Sequence, residues 1–62
     1  MNLTPRESAL AACILDALSD KEITRAMGWT NVGTTERALY DLKKKIGARN
    51  RVALALKLKD MA

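Results

Sequence analysis

Two short motifs constrain this chain more than anything else in it. Thr4-Pro5-Arg6-Glu7 and Ser19-Asp20-Lys21-Glu22 each set a hydroxyl residue three positions ahead of a glutamate. In that arrangement the hydroxyl accepts from the glutamate's amide, and the carboxylate reaches back to the amide of the hydroxyl residue. Two donors that a helix would leave unpaired are thereby satisfied, so each motif marks a helix start. Pro5 follows the first cap at the one helical position where a missing N–H costs nothing. Nowhere do β-branched residues alternate over a strand's length. The chain therefore reads as all-α.

Four helices fit the remaining pattern. Leu10, Cys13, Ile14, Ala17 and Leu18 give the first an apolar face; Ile23, Ala26 and Met27 give one to the second. Gly28, free to adopt positive φ, stops the second helix. Thr30 or Asn31 caps the third, whose inner positions are Val32, Thr35, Leu39, Leu42 and Ile46. Glu36, Arg37, Tyr40, Asp41, Lys43 and Lys44 then face outward, and Gly47 closes the helix. Asn50 caps a fourth helix with Val52, Ala55, Leu56 and Leu58 as apolar positions. Ala53, Leu54 and Met61 are surplus to one stripe, which predicts a second buried face.

With 62 residues, the span 1–62 is one domain with a modest core. Cys13 is the only cysteine and there is no histidine, so neither an internal disulfide nor a conventional four-ligand zinc site is available. Cys13, among Ala11, Ala12, Ile14 and Leu15, reads as a small buried hydrophobe. No cofactor and no metal are expected. An enzyme is poorly supported: there is no nucleophile–base arrangement and no phosphate-binding glycine loop. No apolar run approaches the length of a membrane span and no signal peptide opens the chain, so a cytoplasmic, nucleoid-associated location is expected. The net charge is +4, divided into −1 over residues 1–31 and +5 over residues 32–62. A basic half on a small domain suggests a polyanionic partner.

Two short helices, a tight turn at Gly28 and a longer basic helix make a helix-turn-helix, although a generic three-helix bundle with one basic face would look similar. Longer blocks carry more. Leu3-Thr4-Pro5-Arg6-Glu7, Leu18-Ser19-Asp20-Lys21-Glu22-Ile23, Met27-Gly28, Thr34 and Lys45-Ile46-Gly47-Ala48-Arg49-Asn50-Arg51 occur in that order. They resemble the LuxR/NarL/GerE-type helix-turn-helix, in which the same blocks read roughly LTPRE, LSNKEIA, LG, S-x-x-TV and KLGVRNR. The resemblance runs from Leu3 to about Leu58. It departs at one extra residue within Thr30–Gly33, at Thr35 for a valine, Glu36 for a lysine, Ala38 for a histidine and Ala17 for a glycine. It implies a four-helix fold without a β-wing, a tri-helical core plus a C-terminal helix. It also resembles the members that consist of this domain alone, for which regulation comes from expression level or a partner.

What the resemblance implies for function is sequence-specific binding of double-stranded DNA, with a recognition helix over about 31–46 in the major groove. Arg37 and Tyr40 would face the bases, Arg37 gripping guanine O6 and N7; a solvated arginine is the plainer alternative. Glu36 would accept from cytosine N4, or pair with Arg37 or Lys43. Thr30, Asn31 and Thr34 would reach phosphate or serve as caps. Lys21, Lys43, Lys44 and Lys45 would meet the backbone, the last three also suiting the helix dipole. Trp29 is expected in the core, and Arg49 and Arg51 either on phosphate or paired with Glu7 or Glu22. A homodimer is expected, with Leu54 and Leu58 as its contacts. The competing function is an interaction protein of the same fold, binding another transcription regulator or RNA polymerase through its apolar C-terminal helix.

Overall fold

The computed structural model describes residues 3–61 and is all-helical among them: α1 (Pro5–Leu15), α2 (Asp20–Ala26), α3 (Val32–Ile46) and α4 (Arg51–Met61). Both capping boxes form. The Glu7 amide donates to Thr4 Oγ1 at 3.1 Å while Glu7 Oε1 accepts from the Thr4 amide at 2.8 Å. Ser19 and Glu22 repeat the exchange at 3.3 and 2.8 Å. Asn31 caps α3, and Asn50 Oδ1 accepts from the Ala53 amide at 2.8 Å to start α4.

α1, α2 and α3 each end at a residue in the left-handed conformation. At α2, Gly28 (φ +74°) sends its N–H to Arg25 O and Trp29 sends its own to Thr24 O. This pair of bonds is the Schellman closure. At α3, Gly47 (φ +83°) and Ala48 both donate to Lys43 O. The same closure ends α1, with Ala17 donating to Ile14 O and Leu18 to Cys13 O, but here the left-handed residue is an alanine at φ +58°. The expected first helix, running through Leu18, is therefore too long. Ala17 lies outside it and exposed, and only Leu18 tucks back against the core.

α1 packs on α2 and α4, and α3 packs on the same two helices. Leu10, Ala11, Ile14, Ile23, Leu39, Leu42, Leu54 and Leu58 form the centre. Ala26, expected inside, is exposed, because the buried side of α2 passes through Ile23 and Thr24. Trp29 is half-buried rather than central. Among the described residues no helix is long and apolar enough to cross a membrane.

The rotation of α4 differs from the expectation in a way that matters below. Leu54 (0 % exposed) and Leu58 (3 %) point into the core, while Val52 (71 %) and Leu56 (61 %) face outward. Arg51 shares this phase. Its guanidinium donates to Asp20 Oδ1 and to the Leu18 carbonyl, across the α1–α2 junction. Positions 54 and 58 follow 51 at helical spacing and turn inward with it. Arg51 is thus paired with Asp20, not with Glu7 or Glu22.

Candidate nucleic-acid interface

α3 has two sharply different faces. Thr35, Leu39 and Leu42 are buried. Opposite them Gly33, Arg37, Tyr40 and Lys44, at spacings of four, three and four, form an exposed stripe. Tyr40 is 53 % exposed and Lys44 Nζ lies 5.3 Å from its ring centroid, a cation–π contact that steadies both side chains. Arg37 is held only by Asp41 one turn on, at 3.8 Å between well-solvated groups. Such a pair contributes little and gives way readily to a better anion.

A buried polar contact fixes α3 against α2. Thr24 Oγ1 and Thr35 Oγ1 lie 2.5 Å apart, at 8 % and 0 % exposure. Thr24 also donates to the Asp20 carbonyl at 2.7 Å. A hydroxyl has one hydrogen, so Thr35 must be the donor in the pair. The chain Thr35–Thr24–Asp20 O leaves no buried side-chain polar atom unsatisfied among the described residues. It also pins α2 and α3 at one register. The sequence reading placed Thr35 inside but missed Thr24; the signal was a hydroxyl one position past Ile23, on the side of α2 that meets α3.

At the other end α3 is tied to α1. Lys45 Nζ reaches Glu7 Oε1 at 2.6 Å. Lys45 first, and the Thr4 amide second, hold the Glu7 carboxyl below the usual carboxylate range. Glu22 is lowered as well, mainly by the Ser19 amide it caps.

The other expected site residues spread around this stripe. Asn31 is occupied as a cap: its Oδ1 accepts from the Thr34 amide at 3.0 Å and from the Thr34 hydroxyl at 3.3 Å. Thr30 is exposed in the turn just before it. Glu36 and half-buried Lys43 lie on the flank toward α2 and α4, around a shallow hollow shared with Asp20 and Arg51. Lys21 is exposed in the first turn of α2, outside the α3 stripe. Leu54 and Leu58 cannot be the surface a second chain meets, because the fold has already buried them. An exposed apolar groove does remain between the end of α1 and α4, lined by Leu15, Leu18, Val52, Ala55 and Leu56. No family model, no curated protein and no solved structure matches the chain.

Proposed function

We propose that this protein is a LuxR-type transcription regulator that binds double-stranded DNA sequence-specifically, with α3 in the major groove. The observation that carries the reading is the α3 stripe: Arg37, Tyr40 and Lys44 project from a helix whose opposite face is locked to α2. A helix so mounted presents side chains to base edges without losing core contacts. Arg37 is the base reader, exchanging Asp41 for the paired acceptors of guanine. Tyr40 and Glu36 add base-edge contacts, Glu36 accepting from cytosine N4. Lys21, Thr30, Asn31, Thr34, Lys43 and Lys44 hold phosphate on either side. The chain acts in the cytoplasm on the nucleoid.

Fluorescence anisotropy with a mixed-sequence duplex, followed by selection of a preferred site, tests this. Affinity should fall by orders of magnitude between low and physiological salt. Arg37→Ala should cost about 1–3 kcal/mol on the selected site and relax one base pair. Unchanged affinity in Arg37→Ala for every sequence would remove α3's stripe as the reading face.

The homodimer this reading calls for on a two-fold site would pair through the groove of Leu15, Val52 and Leu56. The same exposed apolar groove favours a second reading, in which the chain docks another regulator or RNA polymerase and modulates it. Sedimentation separates the two: a monomer–dimer equilibrium abolished by Leu56→Asp supports self-pairing, and a strict monomer supports the heterologous partner.

A further inference from the structure

The buried face of α3 holds one polar residue, Thr35; its other buried residues, Leu39 and Leu42, are apolar. Apolar burial is non-directional, so the two leucines keep most of theirs through a small turn of the helix about its axis. The tie from Lys45 to Glu7 runs through a flexible four-carbon stem and follows such a turn. The bond from Thr35 to Thr24 is short and directional, and a turn of α3 breaks it. Yet the bond adds little to stability. Exchanging both partners of a buried hydrogen bond for apolar groups that fit is nearly neutral. What the pair supplies is orientation, because a fully satisfied buried polar contact selects one arrangement of a core.

Each residue advances about 100° around a helix, which puts Arg37 about 200° and Tyr40 about 140° round from Thr35. The bond therefore sits on the side of α3 turned away from the exposed stripe, and a turn it resists in the core is a turn it resists at Arg37. A binding constellation keeps its fit only within about 10–20° of its working geometry. We infer that the Thr24–Thr35 bond is a positioning device for base reading. It fixes the rotation at which α3 presents Arg37, and so sets how sharply the protein tells one sequence from another. The hold on phosphate and the stability of the fold owe it little. The resembled blocks LSNKEIA and S-x-x-TV put alanine and valine at positions 24 and 35, so the pair belongs to this chain and not to that pattern. The inference rests on the DNA reading above and deepens it.

The test compares wild type, Thr24→Ala/Thr35→Val and Thr35→Ser. Affinity is measured at fixed salt for the selected duplex and for an unrelated one, alongside circular dichroism melting. The double variant should melt near wild type and hold the unrelated duplex as tightly. Its preference for the selected duplex should fall about tenfold, within what one bidentate base contact supplies. Thr35→Ser gives up a buried methyl group and keeps the hydroxyl, so it should melt lower and retain the wild-type preference. One variant then loses specificity without stability and the other stability without specificity, which a merely structural pair would not produce. A double variant with the wild-type preference overturns the inference. So does one that fails to fold, since the pair would then hold the fold and not its pose. Loss of preference in folded Thr35→Ser overturns it as well. In each of these cases the DNA reading stands. A wild type that binds every duplex alike, or none, sinks that reading and this inference with it.

Discussion

α3 and α4 carry similar numbers of apolar residues and use them differently. In α3 they fall on one side, the polar residues fall on the other, and the helix has one way to lie. In α4 apolar residues occur all round: Leu54 and Leu58 on one side, Val52 and Leu56 on another. Pattern alone leaves two rotations nearly equal in apolar burial, and the observed one goes with a long-range tie that periodicity does not show. That tie is Arg51, which reaches back to Asp20 and the Leu18 carbonyl. A helix sorted by its own sequence can be placed by periodicity; a helix sorted by one contact cannot.

The largest effect should come from the two leucines of α4 that periodicity could not rank. Leu54→Ala empties a fully buried site and should cost about 2–5 kcal/mol, enough to unfold much of a small domain at 25 °C. Leu56→Ala should stay within about 0.5 kcal/mol. Chemical denaturation of both variants measures the contrast. Equal losses would mean that α4 has no fixed rotation.

This contrast also shows what the sequence could reveal. Every helix start was legible, because a cap is a local exchange between residues three apart. So were the stops at Gly28 and Gly47, and the α3 stripe of Arg37, Tyr40 and Lys44. The end of α1 was not, because a closure with alanine in the left-handed position lacks the glycine that normally signals it. The rotation of α4 was hidden because its cause lies 31 residues away in the chain.

The next effect sharpens what holds α3. Thr24 and Thr35 are not equivalent, because the hydrogen of Thr24 is already given to Asp20 O. Thr24→Ala removes the acceptor of a fully buried Thr35 hydroxyl and should cost about 1–3 kcal/mol. Thr35→Val leaves Thr24 with its bond to the carbonyl and should cost under about 1 kcal/mol. In the double variant the orphaned hydroxyl is gone, so its loss should be smaller than that of Thr24→Ala alone. A denaturant double-mutant cycle with equal single losses and simple additivity would dismiss the directed pair.

Ala17 tests the junction over which α4 lies. At φ +58° it pays for a left-handed backbone that glycine adopts freely. Ala17→Gly relieves that strain while loosening the unfolded chain, and the balance should be a gain of about 0.5–1 kcal/mol. Ala17 also lines the groove beside Val52 and Leu56, but glycine removes only one methyl group there, so the variant should melt higher. A lower melting temperature would show that the alanine methyl group contributes more by packing than its backbone costs.

The smallest effect is the pH dependence of the tie between α3 and α1. The folded state holds Glu7 below its ordinary value, so folding favours its ionised form. That contribution is complete above the ordinary carboxylate range and is lost as pH falls through the lowered value. Glu22 follows the same sign from a different cause, its cap amide rather than a lysine on another helix. Salt separates the two, because a solvated ion pair is screened and a short hydrogen bond to an amide is not. Glu7→Gln keeps an acceptor for the Thr4 amide and discards the charge, so wild type and variant should converge in denaturation midpoint as pH drops toward 2. Raising salt at pH 7 should narrow the gap between wild type and Glu7→Gln, and leave the gap for Glu22→Gln nearly unchanged. If salt narrows neither gap, Lys45 does not hold Glu7 by charge in solution, and α3 is fixed by its buried face and Thr35 alone.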